Sequence, residues 1–341
     1  MIKIDGSHGE GGGQIIRTAT GLSAITGKPI HITNIRKGRC TPGLQAQHLQ
    51  GMLACAQICD AKTKGAEIGS TEIEFHPNEI KKGNYTINIG TAGSIPLIFQ
   101  TIVLPAVFSE NHFEFTITGG THVHWSPTMD YFQHIFCDFM KKMGIDINIE
   151  IKKHGFYPKG GGEVFAEVKP SKLKSIVLED RGNLMYIDVS SIVTKDLQIA
   201  KVAERQINGF TSILRVTGHK NIDYVNSLST GSSIHGHIHY TNCKLGSTAI
   251  GERGTIAEDV GIKCAQELKK SITSKACLDK HMADQILPYM ALSALKNKDI
   301  NKVFVEDITG HVKTNIWIIE QFLDVKFDID EKNRIITCSK I

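Results

Sequence analysis

The 341 residues are 41% apolar, 22% charged and 7% aromatic, the proportions of an ordinary soluble globular protein. A chain of this length buries roughly three quarters of its unfolded surface and is long enough for about two domains. Thirty-nine Lys and Arg against 35 Asp and Glu give a net charge of +4, which permits an anionic ligand without demanding one, and no basic tail points to nucleic acid. Eight cysteines are too sparse for a disulfide scaffold, and none falls in a Cys-x-x-Cys pair. Cys55 and Cys59 share one helical face and read as small buried thiols. The amino terminus shows no signal-peptide pattern. The longest apolar run, residues 95–108, holds Pro96, Gln100 and Pro105 and is too short to span a bilayer. A cytoplasmic protein is expected.

In chain order, a loose threefold echo emerges. An amphipathic helix over 14–26 has apolar residues at 15, 16, 19, 22 and 25; strand PIHITNI, loop RKGRCTPG (36–43) and helix 44–59 follow. The second copy runs from helix 94–108 to strand 112–118, loop GGTHVHWSP (119–127) and helix 128–143. The third has helix 283–295, strand 301–308, loop TGHVKTN (309–315), helix 316–323 and a last strand. Between 184 and 275 the echo breaks. There the pattern reads as strand 184–191, helix 196–215, strands 221–226 and 233–240, and a helix near 256–272. The expected fold is therefore α/β, a large domain of three repeated units (1–183 plus 276–341) with a smaller inserted α/β domain (184–275). Pseudo-symmetry should bring loops 36–43, 119–127 and 309–315 to one cleft with the starts of the three leading helices.

The motifs carry more than one reading. GSHGEGGGQIIR lies between a short strand and the first helix, where glycines and a helix N-terminus suit a phosphate, although a plain flexible turn is the commoner outcome of such a stretch. Glu10 within it fits a divalent cation set between carboxylate and phosphate, or a solvated carboxylate favoured by the helix dipole. Arg36, Lys37 and Arg39, followed by Gln47 and His48, form either a phosphate-binding turn or a solvated basic one. Gln100 and Gln285 stand where leading helices would tolerate Leu. HGFYPKGGGEV (154–164) demands unusual backbone dihedrals, and Lys152, Lys153 and Lys159 could rim a polyanion site. His235, His237 and His239 alternate on one strand and so share a face. The simpler reading makes that the wet face, opposite Ile234, Ile238 and Tyr240; a metal site is the alternative. Lys3-Ile4-Asp5-Gly6 matches the signature of lysine-adenylating ligases, but no chain lies upstream to build a nucleotide pocket, so it reads as coincidence.

Six segments in order, MIKIDGSHGEGGGQIIRT, IRKGRCTPGLQAQHL, GTAGSIPLIFQTIVLPA, HGFYPKGGGEV, HMADQILPYMAL and GHVKTN, resemble the RNA 3′-terminal phosphate cyclases. The likeness runs from residue 2 to about 323 and is weakest in the insert. It implies the cyclase/enolpyruvyl-transferase architecture, helices packed on small sheets, and conversion of an RNA 3′-phosphate to a 2′,3′-cyclic phosphodiester. ATP would be co-substrate with Mg2+ or Mn2+, and the resemblance leaves room for a homodimer. By motif, His311 resembles the nucleophile that takes AMP. Gln100, Pro127, His281, Asp284 and Gln285 resemble ATP-binding positions. Arg17, Arg36, Arg39, Gln47 and His48 resemble phosphate- and RNA-binding positions, and Glu10 a metal-binding one. The sequence departs from some members at His122, His124 and Trp125.

Those residue types suit the chemistry. A phosphate monoester cyclises poorly until AMP supplies a good leaving group, and a neutral imidazole can carry that AMP. Two other classes compete: a binding protein on the same fold that has lost catalysis, and a small-molecule transferase on the related architecture. The histidine in GHVKTN argues against the first, and the missing transferase motifs argue against the second.

Overall fold

In the computed structural model, which describes residues 1–341, three four-stranded sheets share one connectivity. Strand β1 (Ile2–Asp5) leads through helix α1 (Gly13–Thr26) to its parallel neighbour β2 (Ile30–Thr33). Helix α2 (Ala46–Ile58) then precedes a hairpin of β3 (Lys62–Lys64) and β4 (Ile73–His76), giving the order β1-β2-β4-β3. The second unit repeats this with β5 (Gly83–Asn88), α3 (Ile95–Phe108) and β6 (Phe113–Gly119). It continues through α4 (Met129–Tyr131), a π-helical segment (Phe132–Phe136) and α5 (Cys137–Lys142). The hairpin β7 (Ile147–Lys153) and β8 (Gly162–Val168) closes the order β5-β6-β8-β7. The helix between each parallel pair is what such a pair requires, because a tight turn cannot join parallel strands.

The third unit opens with β9 (Val177–Leu178) and is then interrupted. The interruption builds a sheet of its own from β10 (Leu184–Thr194), β11 (Lys220–Val225), β12 (Ser232–Tyr240) and β13 (Lys244–Ile250), in the order β11-β10-β12-β13. Helices α6 (Val202–Ile213) and α7 (Ala257–Ser274) cover one face. Gly236 on that face has no side chain because a Cβ there would lie 2.5 Å from the Phe210 ring. The third unit resumes with α8 (Met282–Gln285), α9 (Leu287–Asn297), β14 (Asn301–Phe304), α10 (Gly310–Phe322), β15 (Val325–Asp330) and β16 (Ile335–Lys340). Its order, β9-β14-β16-β15, matches the other two.

Local chemistry explains these elements. Strand β6 alternates buried and half-buried residues, so Phe113, Phe115 and Ile117 meet Val164, Ala166 and Val168 of β8 in the core. Ser94 caps α3 by accepting from the Leu97 N–H, and Pro96 occupies the first turn where its missing N–H costs nothing. From 95 to 107 every residue of α3 is buried except Gln100, so this is an interior helix with one polar opening. The eight cysteines are all free thiols, and no helix is long and apolar enough to cross a membrane.

Four expectations need correction. Residues 310–315 are not loop but the first turns of α10, because Thr309 caps the helix by accepting from Val312 N–H at 3.2 Å. The helix expected from 196 begins at Val202, after a 3-10 turn and Lys201 in the left-handed region (φ 49°). Strand β13 was not foreseen. The face carrying His235, His237 and His239 is not wet: it packs on the π-helical segment, with His134 stacked on His235 and His237.

Candidate active site

The cleft is formed where the leading helices of all three units meet α10. Gln14 and Arg17 come from α1, Gln100 from α3, Asp284 and Gln285 from α8, and Asn315 from α10. Thr18 Oγ1 donates to Asn315 Oδ1 at 2.7 Å, and Asn315 Nδ2 donates to the Asp284 carbonyl at 2.8 Å. Gln100 Nε2 donates to Gln285 Oε1 at 2.9 Å, and Gln285 Nε2 to the His281 carbonyl. The Thr18–Asn315 and Gln100–Gln285 bonds span units and hold the cleft walls together.

At the mouth stands His311, exposed in the first turn of α10. Its Nδ1 lies 2.9 Å from Gln14 Oε1, while Gln14 Nε2 donates to Asp284 Oδ2 at 2.7 Å. When Asp284 is ionised it accepts and cannot donate, so the amide presents its oxygen to the imidazole and Nδ1 carries the proton. The lone pair is thereby placed on Nε2. Burial of part of the ring holds the His311 pKa below the usual value; Glu10 pulls it up, and Arg17, Arg39 and His281 push it further down. Burial pushes Asp284 up to about 7 against the pull of Arg17, and pushes Arg17 down to about 10. Arg17 Nε is buried and has no partner in the chain, leaving a donor for a ligand.

Glu10 reaches this group from the glycine-rich loop. Its amide N–H donates to Thr314 Oγ1 at 3.2 Å, and Arg39 donates to its carbonyl at 2.7 Å. Arg39 also stands 3.5 Å from Glu10 Oε2. Gly310 lies directly beneath it, and a Cβ there would displace the Glu10 carboxylate, at 2.3 Å. One exposed carboxylate with no second acidic ligand beside it suits Mg2+ or Mn2+, which keep water and substrate phosphates as their other ligands. His48 packs against Gly13, and burial with Arg17 and Arg36 pushes its pKa down to about 3. That ring is neutral at the start of α1.

The remaining residues named from sequence lie as follows. Arg36 has a positive φ (53°) and donates to the carbonyls of Thr41 and Gly43 at 2.6 and 2.9 Å, bracing its own loop. Gln47 accepts from Ser94 N–H at 3.2 Å, joining the first loop region to the start of α3. Loops 36–43 and 309–315 do meet through Arg39 and Glu10. Loop 119–127 bonds through Gly120 to Gly93 and Ile95 at the start of α3 and through Thr121 and His122 to Gly155, with His122 buried against Asp130 at 2.6 Å, His124 beside Glu252 and Trp125 fully exposed. Pro127 ends that loop, half-buried. His281 is exposed, its ring edge-on to Tyr131. The Gly160–Gly161 turn has φ of 68° and 72°, and Lys159 N–H donates to Ser229 Oγ, so HGFYPKGGGEV docks on the insert. Lys153 is paired with Glu163, Lys152 lies over the Phe165 ring, and all three lysines of this stretch, Lys159 included, are exposed. Sequence reasoning missed Gln14, Thr18 and Asn315. Their only signal was a polar residue on an otherwise buried helical face.

The family model described as RTC, RNA 3′-terminal phosphate cyclase, matches residues 8–329. A curated protein of that name from Methanococcoides burtonii is 44% identical over 343 residues, covering 99% of each chain. One from Methanosarcina acetivorans is 41% identical over 362 residues, again covering 99% of each. One from Pyrococcus furiosus is 42% identical over 345 residues, covering 98% of each.

Proposed function

The chain belongs to the RNA 3′-terminal phosphate cyclase family and is an enzyme of that type, and from that premise we propose how its cleft works. The reaction is ATP-dependent conversion of an RNA 3′-phosphate end into a 2′,3′-cyclic phosphodiester, with release of AMP and pyrophosphate. The observation that carries this reading is the relay Asp284–Gln14–His311, which leaves the exposed Nε2 unprotonated.

In the first step His311 Nε2 attacks the α-phosphorus of ATP. The N–P bond forms as the P–O bond to pyrophosphate breaks, and the proton stays on Nδ1 in its bond to Gln14. In the second, an oxygen of the RNA 3′-phosphate attacks the same phosphorus and the N–P electron pair returns to Nε2. In the third, the 2′-oxygen attacks the 3′-phosphorus, AMP leaves, and the hydroxyl proton passes to solvent. A 2′-hydroxyl is indispensable to the last step, which selects RNA over DNA.

The roles follow the geometry. Arg17 and Arg39 place positive charge beside the imidazole, where negative charge grows on the transferring phosphoryl group. The Gln100–Gln285 pair, with Asp284, supports an adenosine subsite between α3 and α8. His281 and Pro127 are assigned there by motif alone. Glu10 would hold Mg2+ or Mn2+, which when bound neutralises phosphate oxygens. Arg36, Gln47 and His48 line the approach for the RNA end, Arg36 through the donors its loop leaves over. The reading also treats 184–275 as a domain inserted into 1–183 plus 276–341, supported by a sheet that closes within 184–250.

The test is to incubate the protein with α-32P-labelled ATP and a divalent metal and look for AMP on the protein. We expect label on the wild type and none on His311→Ala, whose cyclisation rate should fall at least about 10³-fold. Label that survives in His311→Ala overturns the assignment.

A further inference from the structure

The buried histidine face of the insert is not used by this chemistry. Asp188 on β10 sits directly opposite His237 on β12 in the antiparallel register, and His239 is two residues along on the same face. Asp188 Oδ2 lies 3.4 Å from His237 Nε2 and 3.2 Å from His239 Nε2. One ligand atom from each of the three residues lies within 4.8 Å of the others. Two imidazoles converge on one carboxylate oxygen, yet His239 Nε2, at the centre of the group, is buried without a hydrogen-bond partner. His237 is 7% exposed. An orphaned buried polar atom calls for a ligand.

We propose that Asp188, His237 and His239 bind a divalent transition-metal ion, of which Zn2+ is the representative, in a structural site separate from the cleft. Bonds of about 2.0–2.1 Å at tetrahedral angles put neighbouring ligand atoms about 3.3 Å apart. Both O···N separations already match that edge. The ligand nitrogens of His237 and His239 lie within 4.8 Å of each other and close on the ion when it binds, with water in the fourth position. The surroundings hold the ligands in place, as outer partners of metal sites do. Asp188 Oδ1 accepts from His219 N–H at 2.6 Å, which turns Oδ2 to the imidazoles. His134 stacks on His237 with centroids 4.8 Å apart, and Tyr186 on His239 at 4.0 Å. Lys244, opposite His239 on β13, is neutralised by Asp138 at 3.0 Å. Bound there, the ion clamps β10 to β12 beside the π-helical segment on which the insert docks.

The test uses tag-free full-length protein stripped with a chelator and titrated with Zn2+ by calorimetry and with Co2+ by visible absorption. We expect one equivalent per chain and the d–d bands of a four-coordinate Co2+ site. His237→Gln/His239→Gln should weaken binding about 100-fold and Asp188→Asn at least about 10-fold. Glu10→Gln and His311→Ala should retain the equivalent, which makes the outcome independent of the cyclase mechanism. Absence of a stoichiometric site in the wild type overturns the proposal, whatever the variants do. So does binding that survives in the double variant or vanishes in Glu10→Gln.

Discussion

The cleft and the histidine face of the insert are both imidazole-rich seams between units, and they are wired in opposite ways. Around His311 the side chains pair in sequence: carboxylate to amide, amide to imidazole, hydroxyl to asparagine. Around His237 the imidazoles face one another, and His235 has neither ring nitrogen bonded. A wired imidazole has one tautomer and one directed lone pair, which a nucleophile needs. Unwired imidazoles gain from an ion or simply pack as aromatic rings. The difference teaches that counting histidines says little until each ring nitrogen has been accounted for.

The contrast breaks most readily at Gln14. Gln14→Leu should lower the rate of AMP transfer to protein about 10- to 100-fold with the fold intact, by releasing the tautomer of His311. An unchanged rate would sever the relay from catalysis. A pH profile sharpens the same point. Only the ionised Asp284, which cannot donate, fixes the Gln14 amide with its N–H toward the carboxylate, and its pKa stands at about 7. The rate should therefore rise with pH through about 7, and Asp284→Asn, which cannot ionise, should remove that limb. The limb persisting in the variant would assign it elsewhere.

A smaller effect is expected on the His311 titration itself. Glu10 raises this pKa and Arg39 lowers it, so Glu10→Gln should move the midpoint down and Arg39→Ala should move it up. Imidazole NMR shifts measure both, and shifts of equal sign would contradict the placement of the charges. The least effect belongs to the other region. His235 makes no hydrogen bond and lies among Tyr131, His134 and His237. His235→Leu should leave stability within about 1 kcal/mol of wild type or raise it, because nothing is left unpaired. A loss of more than about 3 kcal/mol in denaturant unfolding would mean that the ring has a partner after all.

Much of the fold was legible in sequence because helices with one apolar stripe announce themselves locally. α1, α2 and α3 begin and end within two residues of expectation. Short strands were not: β3, with sequence KTK, has no apolar residue to betray it. α10 was misread at its start because Gly310 looks like loop, although Thr309 was a ready cap. In the strand 232–240 the alternation correctly grouped three histidines on one face. It could not reveal that the face is covered, since what covers it is a segment a hundred residues away.

The residues around His311 divide the same way. Glu10, Arg39 and Asp284 were named by motif and do gather around His311, Asp284 through Gln14, whereas Pro127 ends a loop bonded to Gly155 and to the start of α3. Gln14 was passed over because a single glutamine on a buried helical face carries no local pattern.

Sequence alone determined the three-unit order of helices and strands, because each element's periodicity is written in consecutive residues. Six ordered segments likewise determined the family. The tertiary structure alone decided that Gln14 meets His311, and that Asp188 meets two histidines on the neighbouring strand. Those meetings depend on how whole units dock to within a fraction of an ångström. Hydrogen bonds and ligand geometry are sensitive at that scale, and a local pattern of apolar residues is not.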